Sequence, residues 1–388
     1  CCASSMYREM ECVMDNVYEL LPRQKKIWEI QRLYPNTDIC NIGGYLHLEG
    51  KYDIKLLQRC IEIFLQCSSS FWTKVNVQKK IYFDKITEYE MEEYDFTELS
   101  LEEVDSIIQS WMCEPMPLYD SYLFDFRLLH MQDKIILFEK FHHLIVDGYA
   151  VALCARRQEK IYEELLDGRI SFQSEEDFLE EYVKSKTAET DEHCLKKEYE
   201  NNRMVSFAKR AVNPAADILT GWITDGESRA DDIEWCEKRF QYKKICEFCR
   251  RYRVSVEALV YGCIAMYLCR VMDAEGLAVG RNLLNRSKET LHKIDLRVET
   301  RTFVTEPKWE LPAAEFLADL KKKLAAHASG TEDIFYRPEI EISYRPERYL
   351  PAPKQGECRE FFNSSLETPM KVFVNESRQG IEVVVKYQ

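Results

Sequence analysis

The sequence predicts a mixed α/β protein in which mixed sheets are covered by helices and arranged in two lobes. Three observations carry that expectation. Extended apolar stretches (Tyr122 to Leu128, Ile135 to Phe138, Ile381 to Tyr387) are interleaved with longer stretches of helical spacing (Ile54 to Leu65, Val256 to Met272). The strand-then-helix order of the first half recurs in the second, which predicts one lobe over residues 16–170 and another over 171–388. The length, 388 residues, is enough for two to three lobes of ordinary size.

In chain order, Leu21-Pro22 opens a helix with Ile27, Trp28 and Ile30 on its apolar face, proline being favoured in a first turn. Asn41 to Glu49 reads as a strand, and Asp53 caps a helix that turns Ile54, Leu57, Ile61, Phe64 and Leu65 inward. Ile81 to Phe83 is strand-like, and an acidic stretch from Glu88 to Asp105 leads to a hairpin. In that hairpin Tyr122, Phe124, Phe126 and Leu128 alternate, Gln132-Asp133 turns, and Ile135 to Phe138 returns. A helix from Tyr149 to Leu166 closes at Asp167-Gly168, where the lobe boundary is expected. Ser174 to Asn202 reads as a charged helix pair.

The second half offers a strand (Ile233 to Phe240), a helix (Tyr242 to Tyr252), a Ser255-capped helix (Val256 to Met272) and a strand (Leu277 to Gly280). A strand over Ile294 to Val298, a helix over Ala313 to Ala326 and a strand over Ile340 to Tyr344 follow, before a closing hairpin of Lys371 to Val374 and Ile381 to Tyr387.

Composition narrows the function. Lys and Arg number 53 against 67 Asp and Glu, a net charge of −14 that argues against a nucleic-acid partner. No uninterrupted apolar stretch is long enough to span a bilayer, so a soluble globular protein is expected. The 15 cysteines lie mostly in apolar helical patterns, and the start lacks a basic-then-apolar leader, which together fit reduced thiols in a cytoplasm. Cys246 and Cys249 form a lone Cys-x-x-Cys without a second pair at metal spacing, so they read as core residues and no metal is expected. Gly43-Gly44 is followed two residues on by Leu46, so the chain lacks the serine of a carrier's Gly-Gly-x-Ser attachment site.

The stretch with most chemical content is Phe141-His142-His143-Leu144-Ile145-Val146-Asp147-Gly148, at the end of the hairpin's second strand. A neutral imidazole accepts a proton near physiological pH without costly pKa tuning. Neighbouring strand residues point to opposite faces, so one histidine packs while the other faces the open side. Asp147 is placed to pair with a cation and pin the loop, and Gly148 allows a close turn.

This run resembles the active-site signature of condensation domains of nonribosomal peptide synthetases and of the wider chloramphenicol acetyltransferase-like acyltransferases. Gln24, Ile27 and Trp28 resemble the family's opening signature, with Lys26 where arginine is usual. Asn285-Arg286, after a strand of the second half, resembles an Asn-Arg pair that faces the family's channel. The resemblance runs from residue 18 to 388. It implies two chloramphenicol acetyltransferase-like lobes arranged as a V with an active-site channel between them. His143 would be the base or amine-positioning group, with His142, Asp147 and Gly148 in support and Asn285, Arg286 and Trp72 as channel-lining candidates. No cofactor is bound directly: substrates would come on the phosphopantetheine arms of acyl or peptidyl carrier domains, or on coenzyme A, with an adjacent adenylation domain as partner.

Three departures from the family's pattern stand out. Trp72 occupies the place of the arginine that commonly pairs with the motif aspartate, so Asp147 needs Arg286, Lys26 or another arginine instead. The Phe-Val-Asn-Thr segment expected after Asn285-Arg286 is missing, and the usual closing helix does not follow Gln388. The start of the chain close to the first signature suits a starter-type domain. The alternatives to amide formation are a catalytically inactive docking module for carriers or partner proteins, and a free coenzyme A-dependent acyltransferase.

Overall fold

The computed structural model describes residues 17–48, 52–168, 234–329, 338, 340–346, 357–361, 363–366, 368–377 and 380–387. The expected helix pair at 174–202 lies outside these residues. Along the first half run β1 (Tyr18–Glu19), α1 (Pro22–Leu33), β2 (Asn41–Leu48), α2 (Ile54–Cys67), β3 (Thr73–Val75), β4 (Lys80–Phe83), β5 (Glu92–Asp95), α3 (Leu101–Cys113), β6 (Phe124–His130), β7 (Ile135–His142) and α4 (Gly148–Leu166). The second half continues with β8 (Glu234–Phe240), α5 (Tyr242–Tyr252), α6 (Val256–Val271), β9 (Leu277–Leu283), β10 (Glu299–Thr305), α7 (Ala313–Ser329), β11 (Ile340–Pro346), β12 (Glu357–Phe361), β13 (Met370–Glu376) and β14 (Ile381–Tyr387).

The local rules operate where they are expected. Asp53 caps α2 by accepting from Lys55 and Leu56 N–H, and Ser255 caps α6 by accepting from Ala258 N–H. Helix α3 begins inside the acidic stretch, where the sequence reading places no helix. Its signal is a capping box: Ser100 accepts from Glu103 N–H while the Glu103 carboxylate accepts from Ser100 N–H. Val104, Ile108, Trp111 and Met112 then form one buried stripe.

The described residues form two compact units. One comprises those of Cys1–Glu189, Asn285–Val298 and Leu350–Ser365, and the other those of Thr190–Leu284, Glu299–Tyr349 and Leu366–Gln388. This corrects the expected division into 16–170 and 171–388, because Asn285–Val298 and the β12 region return to the first unit. The β12 strand pairs with β2, and Asn363 beyond it donates to the Asp38 and Ile39 carbonyls.

The first unit is built on a five-stranded sheet in the order β12-β2-β7-β6-β5, with a separate three-stranded sheet β1-β4-β3. The β6–β7 hairpin is antiparallel with Phe124 opposite Phe141, whereas β5 pairs parallel to β6, so the sheet is mixed. Alternation splits β7 between two cores. Leu137 and Phe141 join the side chains of α2 and α4, and Ile136 and Phe138 join those of α3. Strand β2 is held between two partners so closely that a Cβ at Gly43 would meet Glu139 O at 2.1 Å, and one at Gly44 would meet Arg359 O at 2.0 Å. Those glycines serve sheet packing.

The second unit holds a mixed sheet β10-β9-β11-β13-β14-β8, in which β11 runs parallel to β9 and β13. Helices α6 and α7 bury Tyr261, Ala265, Leu317 and Leu320 with Ile342 and Val372. The expected strand at 294–298 is irregular chain instead, and the strand β10 follows it. Arg297 and Val298 N–H donate to the Asp147 carboxylate, so those backbone groups are not available to a ladder. Among the described residues, no single helix is long and apolar enough to cross a membrane.

Candidate active site

Strand β7 delivers His142 and His143 to its end, and a tight turn follows. Ile145 N–H donates to His142 O at 3.1 Å, and His143 N–H donates to Cys40 O at 2.7 Å. Leu144, Ile145 and Val146 are fully buried, whereas His143 is half-buried and Gly148 is exposed. Three consecutive apolar anchors thus hold the loop on the core, leaving His143 and Gly148 as its outward members. At Gly148 a Cβ would meet no atom within 4 Å, so the loop has open space at that end. Gly148 begins α4 without a positive φ, so the close turn expected there needs no left-handed backbone, and what the glycine provides is room.

The two histidines have separate environments, as strand alternation requires. His142 is fully buried. Its Nδ1 accepts from Leu144 N–H at 3.1 Å, and its Nε2–H donates to Gln31 Oε1 at 3.2 Å. Burial, with His143 beside it, holds its pKa down to about 3 from 6.5, so the ring stays neutral over the ordinary pH range.

Asp147 is turned into the protein. It caps α4 by accepting from Ala150 N–H at 2.8 Å, and accepts from Arg297 and Val298 N–H at 2.8 and 2.9 Å. Arg286 Nη2 completes the set at 3.0 and 3.1 Å from the two carboxylate oxygens. Of the cations considered for Asp147, Arg286 takes the role. Its guanidinium also donates to the carbonyls of Thr290, Lys293 and Asp295, and lies 4.8 Å from the centre of the Tyr149 ring. The carboxylate of Asp295, itself buried, sits 3.5 Å from Arg286 and 2.6 Å from Arg297. Burial raises the pKa of Asp295 against the pull of Arg297, Arg286 and Arg23. Each carboxylate thus has a guanidinium against it, which is the condition for burying them.

This geometry corrects two of the candidate roles. Trp72 has no exposed surface, lies in the apolar core of the first unit and donates its indole N–H to Leu65 O at 2.8 Å. Arg286 has a fully buried side chain. Neither lines an open channel: the indole packs where a large apolar group is sheltered, and the guanidinium is consumed by acceptors. Asn285 is exposed, with a φ of 47° in the left-handed region that asparagine tolerates. Gln31, Asp295 and Arg297 escaped sequence reasoning. Only contacts between distant segments give them a role, and among the described residues no group of three or more His, Cys, Asp or Glu forms a metal site.

The family model for the condensation domain matches residues 14–329. Surfactin synthase subunit 1 of Bacillus subtilis (strain 168) is 26% identical over 325 residues, covering 79% of this chain and 9% of that protein. A dimodular nonribosomal peptide synthase of the same organism is 22% identical over 294 residues, covering 70% and 12%. The chain therefore spans about a tenth of the length of these relatives. A mutant starter condensation domain of the rhizomide synthetase RzmA, solved in complex with C8-CoA, shares the fold with a TM-score of 0.71 and 14% identity, over 97% of this chain and 90% of that one. With a shared fold and a family model that matches residues 14–329, the chain belongs to the condensation domain family.

Proposed function

We propose that this protein catalyses amide formation between a thioester-bound acyl or aminoacyl donor and the amine of a carrier-bound amino acid, with His143 as the acting imidazole. The observation that carries this reading is the half-buried His143 on a loop whose neighbouring side chains are all buried, with open space at Gly148. In the step itself, the amine lone pair attacks the thioester carbonyl, the C–N bond forms and the C–S bond breaks. The amine's proton passes to His143 and on to the departing thiolate, so no acyl-enzyme is formed. Asp147, occupied by five hydrogen bonds from Ala150, Arg286, Arg297 and Val298, holds the loop and takes no part in the transfer.

The substrates on this reading arrive on phosphopantetheine arms of carrier domains, the acceptor having been loaded by an adenylation domain, and the work is done in the cytoplasm. A docking-only role rests on Trp72 and on the shortened loop after Arg286; Trp72 is a core side chain, and Arg286 gives Asp147 the cation that an arginine at position 72 would have supplied. The test is to incubate the protein with an aminoacylated carrier and either an acyl carrier or an acyl-coenzyme A, and read the products by intact mass. Amide product that depends on His143 is expected, and the choice of donor separates carrier from coenzyme A. Absence of amide with every donor, or undiminished product from His143→Ala, overturns the reading.

A further inference from the structure

Two glutamines of α1, Gln24 and Gln31, each bond to the loop on one side of His143. Gln24 Nε2 donates to Leu144 O at 3.3 Å, while its Oε1 accepts from Leu21 N–H at 3.1 Å. Gln31 Nε2 donates to Tyr34 O at 3.0 Å and Thr37 O at 3.2 Å. Those two carbonyls fix which way the Gln31 amide faces, because only its oxygen remains for the His142 ring. Leu144 N–H occupies His142 Nδ1, so that nitrogen carries no proton and the neutral ring must carry it on Nε2, facing Gln31 Oε1. The chain of bonds is closed at both ends by backbone groups.

His143 lies between the two residues so held. Its own N–H is anchored on Cys40 O, and the peptide after it ends in Leu144, whose N–H and C=O are bound by His142 and Gln24. We infer that Gln31 is a positioning residue: it selects the Nε2–H tautomer of His142, and this buried imidazole, through Leu144 N–H, sets the backbone from which His143 projects. The inference rests on the reading of His143 as the acting imidazole. The neutral state of His142 supports it, since an imidazolium would carry a proton on Nδ1 and could not accept from Leu144.

The first test needs no activity. With the seven histidines labelled with ¹⁵N, His142 should show an unprotonated Nδ1 and a protonated Nε2 in the wild-type chain; the opposite tautomer overturns the proposal. The second uses two variants. Gln31→Leu should lower kcat by roughly 10- to 10²-fold at little change in KM, the effect of a small misplacement of a reacting group. Gln31→Glu puts a carboxylate opposite Nε2 and favours the imidazolium, so the acid limb of its rate–pH profile should move to higher pH. Wild-type kcat and pH profile in both variants, with His143→Ala inactive, sinks the positioning role alone. Full activity in His143→Ala sinks the parent reading instead.

Discussion

Asp147 and Arg286 stand 139 residues apart in the chain, yet the guanidinium Nη2 reaches both carboxylate oxygens at 3.0 and 3.1 Å with both side chains sealed from solvent. The pair joins the motif loop to the segment Asn285–Val298 and explains why that segment packs with the first unit. Arg286→Met should destabilise the protein by about 3–5 kcal/mol, because it leaves a buried carboxylate without its cation. Arg286→Lys should recover little, since an ammonium cannot reproduce a planar fork shared among Asp147, Thr290, Lys293 and Asp295. Urea unfolding of these variants and of Asp147→Asn/Arg286→Met checks this: the double variant should lose less than the sum of the single losses.

The two histidines should separate by phenotype. His143→Ala is expected to lower turnover by roughly 10² to 10⁴ with the fold intact. His142→Ala should cost about 2–3 kcal/mol of stability, because Leu144 N–H and the Gln31 amide oxygen lose a buried partner. Amide formation and thermal unfolding measured on both variants would show whether the roles are divided in this way.

Two buried groups should shape stability against pH in opposite senses. Glu139, on β7, has a pKa raised from 4.5 to about 8 by burial, with Gln158 opposing. The folded state therefore holds a proton that the unfolded chain has already released, and stability falls as pH rises from about 4.5 to about 8. His142, held down to about 3 from 6.5, does the reverse: the unfolded chain takes up a proton first, and stability is lost as pH falls from about 6.5 to about 3. Glu139→Gln should remove the upper loss, making the variant more stable than wild type at pH 8 by a few kcal/mol and near-equal at pH 4. Urea midpoints at the two pH values decide it; an equal offset at both would contradict the assignment.

Restoring an arginine at position 72 should not restore anything. The Trp72 site is apolar and closed, with Leu65 O as its polar contact and Lys85 Nζ 5.0 Å from the ring centre. Trp72→Arg is expected to cost at least about 3 kcal/mol through an unpaired buried charge and to leave turnover no higher than wild type, whereas Trp72→Phe should cost about 1–2 kcal/mol. Thermal unfolding and product formation of both variants test it.

The sequence by itself determined the elements whose cause is local. Alternation marked the β6–β7 hairpin, Asp53 and Ser255 marked the starts of α2 and α6, and the His-His-x-x-x-Asp-Gly run marked the loop and the split between a packed and an outward histidine. Each depends on neighbours within a few residues, which is why periodicity and capping chemistry could find it. Helix α3 belonged to the same class, since the Ser100–Glu103 box was there to be read. What lay beyond the sequence was decided by contacts with no local signature. The strand expected at 294–298 gave up backbone donors to Asp147, Arg286 turned from a lining residue into a buried counter-ion, and Gln31 found His142 across 111 positions. A buried charge or amide takes whichever partner the packed chain brings within about 3 Å, and only the tertiary structure settles which one that is.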